Sequence, residues 1–254
     1  MDIKGSSLLI TGANRGIGAA LVTEALDQGA AQVFALVREA KNMSWCSDDR
    51  VVPLEADIRD FAAVQATSTN VPRLDIIINN AGILRNQPIL GGSDAVGNAR
   101  DEMEANYFGT LNVVNAFWEK LTSDQADKRG KKIVNVMSTL ANVTYPFCGT
   151  YCASKHAVLA LTNGLRAQLA PVGVEVVEAY PGLTDTDMTE GLDHLPKVSA
   201  ATVAGSILGA LREDLREVYI GADSEEMRDA LAKSAEDAQT EADQYMPEPL
   251  IAAI

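Results

Sequence analysis

Short apolar runs rich in β-branched residues alternate with longer segments of helical period along most of the chain, beginning with Ser7 to Thr11 and the helix-prone residues after Gly16. Such alternation is the signature of βαβ units, whose strands lie parallel in a sheet buried on both faces. Seven strands are predicted: Ser7 to Thr11, Gln32 to Val37, Val51 to Glu55, Leu74 to Asn79, Lys132 to Met137, Glu175 to Tyr180 and Glu217 to Ile220. Helices are predicted near Ile17 to Gln28, Asp60 to Thr69, Ala99 to Leu121, Tyr151 to Ala170 and Thr202 to Leu211. Right-handed crossovers then give an α/β fold, a single-domain Rossmann-type doubly wound sheet.

With 254 residues and no Pro/Gly/Ser-rich linker, one domain over residues 1–223 is expected, with an acidic helix and tail over 224–254 belonging to it. Ser224 reads as the start of that helix, with Met227, Leu231 and Ala235 along one face. The helix either packs or is solvated, a regulatory tail being the alternative. A net charge of −14 argues against nucleic acid and anionic membranes as partners. No apolar run spans a bilayer and no signal peptide is read, so a cytoplasmic location is expected. Three cysteines without a CxxC pair and two histidines suggest neither a disulfide framework nor a metal site.

The first strand ends in Thr11-Gly12-Ala13-Asn14-Arg15-Gly16-Ile17-Gly18 and passes straight into a helix. Glycines permit positive φ and close backbone approach, and the new helix directs unpaired N–H groups at whatever fills the turn. A pyrophosphate suits that place, although the spacing also fits a tight packing turn in any α/β protein. At the end of the second strand, Arg38 can pair with a ribose 2′-phosphate, and Arg15 can reach the same group. NADP(H) is therefore favoured over NAD(H). Glu39 would invert the preference if it faced the ribose instead.

Thirteen residues after Ser138, Tyr151 and Lys155 stand four apart at the head of a helical segment. That spacing puts phenol and ammonium on one face, where the ammonium lowers the phenol pKa toward neutrality. A positioned acid/base of this kind serves carbonyl reduction. No metal is needed.

Thr11 to Gly18, Asn79-Asn80-Ala81-Gly82, Asn106, Ser138, Tyr151 to Lys155 and Pro181-Gly182 follow one another in an order that resembles the classical short-chain dehydrogenase/reductase family, over roughly residues 5–190. The resemblance implies that Tyr151 gives a proton to the substrate oxygen in reduction and takes it in oxidation, while Ser138 hydrogen-bonds that oxygen. Lys155 would hold the nicotinamide ribose hydroxyls and keep Tyr151 acidic, and Asn106 would anchor a water that passes protons outward. It further implies cofactor contacts from Gly12, Asn14, Arg15, Gly16, Ile17, Gly18 and Arg38, from Asp57 and Ile58 at the adenine, and from Asn80, Ala81 and Gly82 beside its ribose. Pro181, Gly182, Thr184 and Thr186 would meet the carboxamide, and hydride would leave the B face.

Cys152 and Cys148 are read as packing residues that could reach the substrate mouth, and His156 as structural. The segment from Asp187 to Val198 makes a short substrate lid. With the Leu84 to Gly92 loop, Leu140 to Phe147, and Met188 or Leu192, it would line a mainly apolar pocket for a small ketone, aldehyde or secondary alcohol. The helices from Ala99 to Leu121 and Tyr151 to Ala170 form a subunit interface in similar proteins, so a homodimer or homotetramer is expected. Two rivals remain: a catalytically idle NADP-binding regulator on the same fold, and an epimerase or dehydratase sharing the Tyr and Lys pair.

Overall fold

The computed structural model describes residues 1–90, 94–122 and 130–245. Its strands are β1 (Ser7–Thr11), β2 (Gln32–Val37), β3 (Val51–Glu55), β4 (Ile76–Asn79), β5 (Lys131–Val136), β6 (Val174–Pro181), the two-residue pair β7 (Thr184–Asp185) and β8 (Val198–Ser199), and β9 (Glu217–Ile220). Seven of them form one parallel sheet in the order β3-β2-β1-β4-β5-β6-β9. The order reverses between β1 and β4, and at such a switch point the strand ends part to leave a ligand crevice. The helices are α1 (Gly16–Asp27), α2 (Phe61–Ser68), α3 (Ala95–Glu102), α4 (Gly109–Thr122), α5 (Gly149–Leu169), α6 (Ala200–Arg212), α7 (Ala222–Lys233) and α8 (Ala235–Ala242).

Side chains alternate across a strand, so neighbours in β1 serve opposite faces. Leu8 and Ile10 join the cluster that buries Leu21 and Val22 of α1 and Ile207 and Leu208 of α6. Leu9 joins the one that buries Val64 of α2, Val113 and Phe117 of α4 and Leu165 of α5. A sheet covered on both faces is what the unbroken apolar runs demanded.

Several predicted elements differ in extent: α5 and α6 each begin two residues earlier than expected, and three others differ as follows. β4 begins at Ile76 rather than Leu74; just before it, the buried Asp75 carboxylate takes the Ser7 N–H at 2.8 Å and the Lys131 and Arg73 side chains, while its main chain still bonds Ser7 and Lys132. The single helix expected from Ala99 starts four residues earlier, where Asp94 caps it by accepting the Gly97 N–H at 2.9 Å. It is then interrupted by a π-helical turn, Met103–Phe108, of the kind that clusters at functional sites. The acidic C-terminal segment is two helices. Ser224 does not cap the first of them; it is buried, and its hydroxyl donates to the Tyr180 carbonyl at 2.6 Å. Extended backbone at Ser234 separates α7 from α8, so Met227 and Leu231 pack inward while Ala235 turns outward. Residues 246–254 of that tail, and Gly91 and Gly92 of the expected pocket loop, lie outside the described residues.

Candidate active site

The glycine turn is built around close approach. Gly12 has φ +64°, and a Cβ on the buried Gly18 would overlap the Gly12 carbonyl oxygen. Gly18 therefore packs beneath the turn, whereas Gly12, Asn14, Arg15, Gly16 and Ile17 line the crevice above it. Thr11 ties the two sides of the switch point together: its hydroxyl accepts the N–H groups of Asn80 at 3.0 Å and Ala81 at 2.9 Å, and its carbonyl accepts Asn80 Nδ2 at 2.9 Å. The Thr11 hydroxyl thus sets the position of Asn80, Ala81 and Gly82 along the cleft.

That cleft has a volume of about 1540 Å³. Pockets for drug-sized ligands measure about 300–1,000 Å³, so this cleft is larger than a single small molecule requires. Arg38, Asp57 and Ile58 line one end of it. Arg38 is exposed and has no ion pair among the described residues, while the neighbouring Glu39 is bound to Lys41 at 2.8 Å and does not line the cleft. Arg15, expected to be free for an anion, pairs with Asp187 at 2.8 Å across the cleft. Both partners are about two-thirds exposed, so solvent screens the pair and leaves it easily exchanged. The Asp57 carboxylate is gripped by Arg59, which holds its pKa below the usual range.

Ser138, Tyr151 and Lys155 meet in the same cleft. Ser138 follows β5 and caps a short 3₁₀ turn through the Leu140 N–H at 3.3 Å. Tyr151 and Lys155 project from the first turns of α5, both almost fully buried, with the Lys155 Nζ 5.7 Å from the Tyr151 ring centre and 3.1 Å from the Val136 carbonyl oxygen. The i, i+4 spacing predicts that the ammonium lowers the phenol pKa, and burial of both groups works against this. Burial pushes Tyr151 up, the neighbouring Cys148 and Cys152 add to this, and the Ser138 hydrogen bond opposes it. Burial likewise pushes Lys155 down to about 8, so desolvation outweighs their mutual attraction. The phenol keeps its proton through the neutral range.

Asn106 sits in the π-helical turn, 1% exposed and outside the cleft lining. Its Oδ1 accepts the Ile83 N–H at 2.8 Å, and its Nδ2 donates to the Ile83 carbonyl at 3.0 Å and to Ser154 Oγ at 2.8 Å. It therefore joins the loop after β4 to the helix that carries Tyr151. Pro181, Gly182, Thr184 and Thr186 line the cleft beside Met188, Leu192 and Leu195. His156 is tied to the Cys152 carbonyl at 2.9 Å, and Cys148 and Cys152 are buried with their sulfurs 3.8 Å apart, none of the three lining the cleft.

Sequence reasoning passed over three residues. Glu102 is fully buried and accepts the Arg85 N–H at 2.7 Å through one oxygen, the other having no hydrogen-bond partner. Asp223 accepts the Leu183 N–H at 2.7 Å and fastens the turn after β6 to α7. Tyr245, just beyond α8, lines the cleft. Only Glu102 left a trace in the sequence, as an acid among inward-facing positions; the other two depend on how the C-terminal helices fold back.

Residues 6–196 match the family model described as short chain dehydrogenase. The chain belongs to that family. A short chain dehydrogenase from Burkholderia cenocepacia J2315, solved in complex with NADP, is 39% identical and superposes with a TM-score of 0.89 over 95% of this chain and 99% of that one. An oxidoreductase of Staphylococcus haemolyticus (strain JCSC1435) is 32% identical over 84% of this chain and 93% of its own length. The 3-oxoacyl-(acyl-carrier-protein) reductase of Vibrio harveyi is 28% identical over 84% and 88%. As a short-chain dehydrogenase, the protein is an oxidoreductase of a family that binds a nicotinamide cofactor. Among the described residues, no cluster of His, Cys, Asp and Glu could hold a metal ion, and no helix is long and apolar enough to cross a membrane.

Proposed function

We propose that the protein interconverts a ketone or aldehyde and an alcohol, acting on the CH–OH group with NADP(H). The observation that carries this reading is a buried, proton-bearing Tyr151 next to Ser138 and Lys155, in one cleft with a glycine turn into which no side chain at Gly18 would fit. The nicotinamide, when bound, supplies or accepts the hydride. Gly12, Asn14, Arg15, Gly16 and Ile17 would hold the pyrophosphate, Asp57 and Ile58 the adenine, Asn80, Ala81 and Gly82 its ribose, and Pro181, Gly182, Thr184 and Thr186 the carboxamide. Arg38 favours the 2′-phosphate, since it has no ion pair among the described residues whereas Glu39 is engaged by Lys41. The NADP in the Burkholderia structure points the same way.

In reduction, Tyr151 donates its proton to the substrate oxygen while the Ser138 hydroxyl donates a hydrogen bond to it. Both stabilise the oxygen as it gains alkoxide character. Lys155 holds the ribose hydroxyls and restores the tyrosine proton. Both N–H bonds of the Asn106 side chain are engaged, so a water in the proton path would not accept from that amide. Leu140, Leu192 and Leu195 make the substrate end apolar. Phe108 and Trp118 stand 42% exposed on and beside α4, which fits a homodimer or homotetramer joined through that face. Three free cysteines fit a reducing cytoplasm.

The test is a panel of ketones, aldehydes and alcohols followed at the reduced-nicotinamide absorbance, with NADPH and NADH side by side. Tyr151→Phe is expected to lose turnover by about a hundredfold or more, with NADPH binding retained. Near-normal turnover in that variant refutes the role of Tyr151. Cofactor binding with no turnover of any substrate favours the idle regulator, and product formed without net cofactor oxidation favours an epimerase.

A further inference from the structure

The family match ends at residue 196, so β9, α7 and α8 lie beyond it. These helices close over the catalytic end of the cleft. Ala238 and Ala242 of α8 are buried against Val143 in the loop that follows Ser138. Gln239 clasps that loop with two hydrogen bonds, accepting the Thr144 N–H and donating to the Thr144 carbonyl, each at 2.8 Å. The next residue, Tyr145, has its carbonyl oxygen bonded by the Cys148 N–H at 3.1 Å, at the head of the helix that carries Tyr151. Tyr145 is thus held from both sides.

Its ring is the centre of an aromatic group. Phe147 lies 5.6 Å away and Tyr245 5.2 Å away between ring centres, each tilted by 56°. All three line the cleft that contains Ser138 and Tyr151. Phe147 and Tyr245 remain 37% and 54% exposed, so neither ring is fully covered by its neighbours at the cleft both line. Three rings in tilted contact make a rigid wall, and a fourth ring gains edge-to-face or offset contact with it that an alkyl chain of equal size does not. The charge around the wall selects further. Asp223 and Glu226 of α7 line the same cleft, while Arg85 is paired with Asp101 at 2.8 Å and Lys197 with Asp193 at 2.6 Å. A carboxylate or phosphate on the substrate would meet the Asp223 and Glu226 carboxylates beside the wall, where Arg85 and Lys197 are already paired.

We propose that Tyr145, Phe147 and Tyr245 form a specificity wall for an uncharged aryl carbonyl compound or the corresponding benzylic alcohol, with α7 and α8 as the element that holds it. This rests on the oxidoreductase reading above.

The experiment compares acetophenone with methyl hexyl ketone, which has the same carbon number, in the NADPH-loaded protein. Their kcat/KM ratio is measured in the wild type, Tyr245→Ala, Tyr245→Phe and Gln239→Ala. The wild type is expected to favour acetophenone, and Tyr245→Ala to cut the ratio by about three- to tenfold. Tyr245→Phe should restore the ratio, because the ring and not the hydroxyl does the selecting. Gln239→Ala should lower it by releasing Thr144, without itself touching the ligand. A wild-type ratio of one, or an unchanged ratio in Tyr245→Ala, overturns the proposal. If neither ketone is turned over, the substrate panel above tests the oxidoreductase reading, and saturation-transfer NMR of acetophenone on the NADP-loaded protein separately decides the wall. Binding weakened in Tyr245→Ala upholds it; no binding, or equal binding in both proteins, rejects it.

Discussion

Replacing Lys155 by methionine should stabilise the ligand-free fold while abolishing turnover, and the size of the gain follows from where the ammonium sits. Lys155 is 6% exposed, its hydrogen bond to the Val136 carbonyl is 3.1 Å long, and burial lowers its pKa from the ordinary 10.5 to about 8. At about 1.36 kcal/mol per pH unit, keeping the charge in place at neutral pH costs the fold roughly 3 kcal/mol. Methionine matches the length of the stem and carries no charge, but it gives up a hydrogen bond worth about 1 kcal/mol. The net gain is about 2 kcal/mol near neutral pH.

The sign is tested by pH. Lys155 loses its proton near pH 8 in the folded chain and near 10.5 when unfolded. In that window the unfolded state holds more protons, so wild-type stability rises with pH and the lysine's penalty fades. Equilibrium urea unfolding of the two ligand-free proteins should show the methionine variant ahead by about 2 kcal/mol at about pH 7, and that lead reduced by about 2 kcal/mol at about pH 9.5. Tyr151, pushed upward by burial, keeps its proton over the same range and leaves the comparison clean. A lead that does not change with pH, or a variant weaker at both values, would show that the buried ammonium is not under electrostatic strain.

Gly18→Ala should abolish NADPH binding or cost the fold about 1–3 kcal/mol, because its Cβ meets the Gly12 carbonyl oxygen; calorimetric titration and a melting curve check it, and normal values for both would refute it. Arg38→Ala should weaken NADPH by about ten- to a hundredfold and leave NADH nearly unchanged, as read by fluorescence titration of the two cofactors. Asp187→Asn, which releases Arg15 from its 2.8 Å ion pair, should tighten NADPH by a few-fold and by less at high salt; unchanged binding would mean that Arg15 does not reach the phosphate. A maleimide should modify the half-buried Cys46 first, with Cys148 and Cys152 protected until the chain unfolds, and mass spectrometry of the labelled peptides tests that order.

Local pattern sufficed where one run of sequence makes one element. The strands of the sheet are apolar runs that no amphipathic helix would tolerate, and the i, i+4 pair Tyr151 and Lys155 needs only helix geometry to share a face. What escaped was set by contacts between distant segments. The π-helical turn at Met103–Phe108 exists in partnership with Ile83, which Asn106 holds through both atoms of its amide, and no helical periodicity encodes that grip. Tyr151 looked like a phenol tuned by its lysine neighbour because spacing is visible in a sequence and burial is not. Once both groups are dry, desolvation favours the neutral form of each, so attraction between charges has little left to act on.

The C-terminal helices carry the same lesson further. Their acidic composition leaves open whether they pack or are solvated; they pack, with Ser224, Ala238 and Ala242 buried and both ends of the Gln239 amide bonded to Thr144, 95 residues away. Charge decides which face of such a helix meets water; the few small and apolar residues decide what its other face covers. Here that other face covers the loop leading from Ser138 to Tyr145, so residues outside the family match govern the shape of the space in front of the reacting groups. The chemistry is set by motifs that a whole family can carry. On the proposal made above, substrate choice is set by the helices this chain folds back over them, and for that reason the glycine turn and the Tyr and Lys pair point to the reaction without naming the molecule that undergoes it.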